Sequence, residues 1–159
     1  MSSAISLSEL KTIRSKLKTS EKKVVFTNGV FDLIHAGHVD YLSKAKALGE
    51  ILIVGLNTDD SVGRIKGNKR PILKQEERAF ILSNLKPVDY VIFFKEDTPE
   101  KLISELIPDI LVKGADWAVE NIVGREIVEK NGGEVKAIKF INDQSTSKII
   151  DLIIKRYSK

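Results

Sequence analysis

The sequence predicts an α/β domain built on a five-stranded parallel sheet with helices on both faces. Three observations carry that expectation. Short apolar runs and stretches of helical period alternate five times along the chain. One run, Ile51 to Leu56, is apolar throughout, as in a strand covered on both faces. No repeat, low-complexity stretch or linker divides the 159 residues, a length that buries a real core without staples.

The elements follow in order. Ser6 and Glu9 fit a capping box, and Leu7, Leu10, Ile13 and Leu17 recur at helical spacing, so residues 1–20 form an amphipathic N-terminal helix. Residues 21–159 form the main domain. Its first strand is Val24-Val25-Phe26. Val39, Leu42, Ala45 and Leu48 mark the packed face of a helix ended by Gly49. After the second strand, Asp59 to Arg70 is too polar for core and is expected to be a mobile loop around a short helix. A helix over about 75–85 carries Phe80, Ile81, Leu82 and Leu85, and Tyr90 to Phe94 is the third strand. Pro99 is placed as first residue of the next helix, with Leu102, Ile103 and Leu106 buried and Pro108 as the stop. Ile110-Leu111-Val112 is the fourth strand. A helix near 120–130 ends at Asn131-Gly132-Gly133, Val135 to Ile141 is the fifth strand, and a last helix starts near Ser145.

Composition narrows the function. With no cysteine, the chain has no disulfide, thiolate metal site or cysteine nucleophile. The net charge of +4 is mild and interspersed, which suits a phosphate pocket and gives no nucleic-acid motif. No run approaches the ~20 apolar residues of a membrane span, and Met1 to Lys18 lacks a signal-peptide core, so a cytoplasmic protein is expected.

In parallel sheets, ligands bind beyond the carboxyl ends of the strands. That rule selects Thr27-Asn28-Gly29, Asn57, Lys113-Gly114 with Asp116, and the stretch ending in Ser145-Thr146-Ser147. The chain's two histidines, His35 and His38, sit in the segment after the first strand. A helix N-terminus there attracts phosphate, and the imidazoles can donate to phosphate oxygens. Gly29 and Gly37 allow close backbone approach. Fixed donors stabilise charge that builds on a phosphoryl group in flight. Asp32 is a candidate to orient a ring or place a metal, and Phe31 lies between the turn and the histidines. Arg64, Lys66, Lys69 and Arg70 could clamp a triphosphate. Zinc is the rival chemistry, but His-Ala-Gly-His lacks the spacing and glutamate of a metalloprotease helix. The Gly-Lys-Ser/Thr and Gly-x-Gly-x-x-Gly phosphate loops are absent.

The segment Thr27 to His38 resembles the signature of the cytidylyltransferase-like nucleotidyltransferases. The likeness is closest to the adenylyltransferase domain of bacterial ADP-heptose synthases. It continues through Gly55 to Asp59, Arg64 to Gly67, Arg70-Pro71, Glu77-Arg78, Val88 to Val91, Asp97 to Pro99, Leu111 to Asp116 and Ser145 to Ser147. It implies a Rossmann-like fold and transfer of AMP from ATP to D-glycero-D-manno-heptose 1-phosphate. By this resemblance His35, His38 and Lys66 are catalytic. Thr27, Asn28, Gly29, Phe31, Gly37, Lys113, Gly114, Asp116, Ser145, Thr146 and Ser147 bind the nucleotide. Asp32, Lys44, Asn57, Arg64 and Arg78 hold substrate or phosphate. It further implies magnesium with ATP, no protein-held metal, a homodimer, and a separate kinase and phosphatase that supply the sugar phosphate.

Two departures from related patterns bear on the substrate. Ser147 replaces the usual threonine and keeps the hydroxyl. Phe140 to Gln144 does not match the Arg-Thr-x-Gly-Ile segment of glycerol-phosphate cytidylyltransferases, which points to ATP. The alternatives are a cytidylyltransferase for glycerol phosphate or phosphoethanolamine, a flavin adenylyltransferase, and a non-catalytic nucleotide-binding module. His35 disfavours pantetheine-phosphate adenylyltransferases, which carry threonine there.

Overall fold

The computed structural model describes residues 4–114, 119–139 and 145–158. Five strands form one parallel sheet: β1 (Val24–Gly29), β2 (Ile51–Asn57), β3 (Tyr90–Phe94), β4 (Ile110–Gly114) and β5 (Glu134–Ile138). Their order is β3-β2-β1-β4-β5, so the strand order reverses between β1 and β4. The helices are α1 (Leu7–Thr19), α2 (Ala36–Lys46), α3 (Asp59–Lys66), α4 (Gln75–Ser83), α5 (Glu100–Leu106), α6 (Arg125–Lys130) and α7 (Thr146–Tyr157).

Alternate strand residues feed two cores, as the pleat requires. Val25, Leu52, Val54, Val91, Ile110 and Val112 pack with Tyr41, Leu42 and Ala45 of α2 and Ala79 and Leu82 of α4. Val24, Phe26, Ile53, Ile92 and Leu111 point the other way, onto Leu10 of α1, Leu102, Ile103 and Leu106 of α5, and Val128 of α6. The continuous apolar runs thus become a sheet buried on both faces.

The N-terminal helix packs on this domain. Its capping box is formed, with Glu9 N–H donating to Ser6 Oγ and Ser6 N–H to Glu9 Oε2. Arg14 donates to the carbonyl of Ile107 at 2.9 Å and to Asp109 Oδ1 at 2.9 Å. Asp109 Oδ2 in turn accepts the N–H of Val24 at 2.7 Å, which ties α1 to the first rung of β1.

Several boundaries differ from the sequence expectation for identifiable reasons. Strand β1 runs three residues beyond Phe26, because β2 offers partners as far as Leu56. Val39 is exposed on α2, and Tyr41 takes the buried place. In α4 Phe80 is exposed, while Arg78 is buried beside Ala79 and Leu82. Pro99 occupies the N-cap of α5, with Glu100 first in the helix. That helix ends at Leu106, ahead of Pro108, with Ile107 at φ 45°. The expected helix near 120–130 divides into a 3₁₀ turn, Val119–Asn121, and α6. Strand β5 begins at Glu134, and its expected last residue, Ile141, lies outside the described residues. The polar stretch after β2 contains the eight-residue α3, capped by Thr58 Oγ1.

Candidate active site

The β1–α2 connection is shaped by one glycine and one aromatic ring. Phe31 has φ 46°, a left-handed backbone that turns its ring back toward the strand. A Cβ on residue 29 would stand 2.9 Å from Phe31 Cε2, so any other residue there would push the ring from this position. The Phe31 ring then meets the His38 ring, with centroids 5.2 Å apart. His35 is the N-cap of α2, with its side chain unused in capping. The His35 carbonyl accepts the N–H of His38 at 2.9 Å. This places His38 over His35, and the rings stack with centroids 3.9 Å apart and 24° between planes.

Burial lowers both imidazole pKa values. That of His38 drops from its usual 6.5 to about 4, through burial and then the nearby His35, with a backbone hydrogen bond to Leu33 opposing. Burial lowers His35 as well. At neutral pH both rings are therefore uncharged and each carries one N–H donor. His35 Nδ1 and Asn28 Oδ1 are buried with no hydrogen-bond partner among the described residues.

These side chains face a cleft of about 770 Å³ at the carboxyl ends of the strands. The cleft opens where the order reverses. Strand β1 pairs with β2 through six residues, Val24 to Gly29, but with β4 only at Val25 and Phe26. Past Phe26 the two strands are bridged instead by Lys113 Nζ, which donates to the Asn28 carbonyl at 3.2 Å. One wall follows β2, with Asn57, Ile65, Lys66 and Arg70. The opposite wall holds Lys113, Asn121 to Val123, and Ser145, Thr146 and Ser147 at the start of α7. Ser145 Oγ accepts the N–H of Lys148 at 3.2 Å, so it caps the helix while facing the cleft.

Of the residues selected from sequence, Asn28, Gly29, Phe31, Asp32, His35, His38, Asn57, Lys66, Lys113 and Ser145 to Ser147 line this one cleft. Others are placed differently. Thr27 is fully buried, its hydroxyl 2.7 Å from Tyr41 Oη. Gly37 is buried inside α2, and Gly114 ends β4 away from the lining. Lys44 pairs with Asp40 at 2.6 Å on the α2 surface. Arg64 turns outward to Asp97 Oδ1 at 2.8 Å and the Lys95 carbonyl. Arg78 is fully buried and directs its donors to the carbonyls of Leu73 and Val30 and to Asp59 Oδ1. Asp116 lies outside the described residues, as does the departing segment 140–144.

The structure also brings in residues that the sequence did not single out for the site. Asp97, Thr98 and Pro99 line the cleft just past β3, where the strand-end rule could have found them. Ile65, Ile122 and Val123 add apolar lining with no sequence signal beyond ordinary hydrophobicity, and Asn121 lies beside them.

Among the described residues, no group of three His, Cys, Asp or Glu side chains is arranged to hold a metal. Asp32 is committed to protein donors and Asp97 to Arg64. Among these residues no helix is long and apolar enough to cross a membrane.

Comparison with known proteins gives a consistent picture. Bifunctional protein HldE of Citrifermentans bemidjiense is 60% identical over 86% of this chain and 28% of its own length. Bifunctional protein HldE of Helicobacter pylori is 50% identical over 94% of this chain and 31% of its own. The chain therefore spans about three-tenths of the length of these curated relatives. Among solved structures, the lipopolysaccharide core biosynthesis protein of Thermoplasma volcanium is 32% identical. It superimposes with a TM-score of 0.61 over 77% of this chain and 99% of that one. Pantoate-beta-alanine ligase of Francisella tularensis shares the fold at a TM-score of 0.61 and 14% identity, over 91% of this chain and 68% of its own. The family described as cytidylyltransferase-like matches residues 26–152, and the chain belongs to that family of nucleotidyltransferases.

Proposed function

We propose that the chain transfers AMP from ATP to D-glycero-D-manno-heptose 1-phosphate, giving ADP-heptose and pyrophosphate. The observation that carries this reading is the stacked, uncharged histidine pair at the N-terminus of α2, facing a cleft whose far wall is the N-terminus of α7. The choice of acceptor rests on the identity of 50–60% to proteins named HldE.

In this mechanism an oxygen of the sugar phosphate attacks the α-phosphorus of ATP in line, and the bond to pyrophosphate breaks. The imidazole N–H groups donate to the phosphoryl oxygens as charge shifts from the α-phosphorus to the leaving group. An uncharged imidazole still offers one N–H donor for this task. Lys66 and Lys113 neutralise phosphate charge from opposite walls. The N–H groups and hydroxyls at Ser145 to Ser147 receive the triphosphate. Magnesium would enter with the nucleotide and supply positive charge to the phosphates. Its preference for few protein ligands fits described residues that form no carboxylate cage.

The test is pyrophosphate release, with magnesium, for ATP and CTP each paired with heptose 1-phosphate, glycerol 3-phosphate, phosphoethanolamine or flavin mononucleotide. Release with ATP and heptose 1-phosphate alone, lost in His38→Ala, is the expected result. Turnover with CTP or another acceptor would move the chain to a sister activity on the same site. Tight ATP binding without release from any pair would replace the reading by a non-catalytic one.

A further inference from the structure

Asp32 lies next to the histidine loop and lines the cleft, yet its carboxylate is taken up by protein donors. Its side chain is fully buried, and every hydrogen bond it accepts comes from residues 70–73. Oδ1 takes the N–H groups of Ile72 at 2.9 Å and Leu73 at 3.0 Å, and Oδ2 takes Arg70 Nε at 2.6 Å. Burial pushes this carboxyl pKa up, but the Leu73 and Ile72 amides and the Arg70 guanidinium outweigh it and hold it below the usual value. The group stays ionised.

A buried anion of this kind is costly to desolvate, and a neutral amide could accept the two backbone N–H groups alone. What the charge adds is a fixed guanidinium. Asp32 engages only the Nε side of Arg70. The Arg70 side chain remains 17% exposed and lines the cleft, and neither Nη atom has a hydrogen bond to any described residue. The remaining N–H groups form the planar fork that recognises phosphate bidentately. Its neighbours show that this arrangement is particular to residue 70. Arg78 is also held by a carboxylate, but it is fully buried and points all its donors inward. Arg64 is at the rim and half exposed against Asp97.

The placement selects the anion. Two substrates must flank the α-phosphorus from opposite sides in an in-line reaction. The wall at α7 has a helix N-terminus and three hydroxyls, a cradle for a polyphosphate. The wall after β2 has Lys66 and Arg70, with the histidines between the two walls. We propose that Asp32 is a positioning residue acting through Arg70, and that Arg70 binds the phosphate of a phosphomonoester acceptor. This rests on the reading of the chain as a nucleotidyltransferase with a phosphorylated acceptor.

The experiment uses the full chain with magnesium, ATP and the acceptor that the wild type turns over. Arg70→Ala should raise the acceptor KM roughly 10- to 100-fold, the scale for losing a charge-assisted hydrogen-bonded contact. Arg70→Lys should recover only part of that, and the KM for ATP should stay within about twofold of wild type. Asp32→Asn should raise the acceptor KM as well, but add nothing in an Arg70→Ala background, because the two act as one unit. An unchanged acceptor KM in Arg70→Ala, or a rise in ATP KM instead, overturns the proposal, and these outcomes need no folded Asp32 variant. If the wild type turns over no substrate pair, the functional reading fails separately. Calorimetric binding of inorganic phosphate to chain saturated with a non-hydrolysable ATP analogue then decides: weaker binding in Arg70→Ala keeps the anion site, and equal binding removes it.

Discussion

Arg78, with no exposed surface, donates Nη2 to Asp59 Oδ1 at 2.7 Å and Nη1 to the Val30 carbonyl at 2.7 Å. One guanidinium thus joins the histidine loop, the start of α3 and, through Leu73, the approach to α4. Removing it takes this donor from two part-buried carbonyls, those of Val30 and Leu73, and from the Asp59 carboxylate. Arg78→Ala should destabilise the chain by about 3–5 kcal/mol, visible as a lower midpoint in urea. Arg78→Lys should recover only part of this, since an ammonium cannot reach three acceptors in a plane.

The stacked histidines should act as a unit. His38→Ala and His35→Ala are each expected to lower kcat by roughly 10²–10³, the scale for one lost transition-state donor. The double variant should fall well short of the product of the two, because loss of either ring lets the other leave its stacked position. Single-turnover rates at saturating nucleotide measure this directly.

The same burial that keeps these rings neutral makes stability depend on pH. In the unfolded chain His38 takes up a proton near pH 6.5, whereas the folded chain resists until about pH 4. Between those values the unfolded state binds more protons, so stability is full above the unfolded pKa and falls as pH drops. His35 is shifted in the same direction and adds to the loss. From pH 7 to pH 5, His38 alone should cost about 1–2 kcal/mol. Urea unfolding of wild type and His38→Gln at both pH values checks this; an equal drop in the two would refute it.

Thr27 and Tyr41 offer a cleaner test of a structural role. Their hydroxyls meet at 2.7 Å in a buried setting between β1 and α2. Thr27→Val should cost about 1 kcal/mol by removing this buried hydrogen bond. Thr27→Val with Tyr41→Phe should cost less than the two single changes added, with coupling of about 1 kcal/mol in a double-mutant cycle. A fall in nucleotide affinity without a fall in stability would instead place Thr27 at the ligand.

Much of this architecture could be read before any coordinate. Tyr90 to Phe94 and the apolar run from Ile51 are strands because period and burial agree there. The histidines were legible because residue type, a preceding glycine turn and a helix start coincide in twelve residues. The arginines were not. Arg64 and Arg70 lie in a polar stretch and Arg78 in the helix after it, and only packing separates the rim from the wall and the interior. Asp32 is similar: its partners lie about forty residues further on, and no local pattern announces them. Strand order was likewise out of reach, since alternation predicts a parallel sheet without saying which neighbours β1 takes.

The short pairing between β1 and β4 has a consequence for how this site can be probed. A longer ladder would occupy main-chain donors and acceptors of both strands; here it stops after two rungs, and a lysine side chain takes up the Asn28 carbonyl. The floor of the slot there includes Gly29, which has only main chain to offer. No substitution deletes a peptide group. Scanning the chain residue by residue with alanine will therefore undercount what the floor contributes, and a ligand gripped there would tolerate sequence drift that side-chain recognition could not.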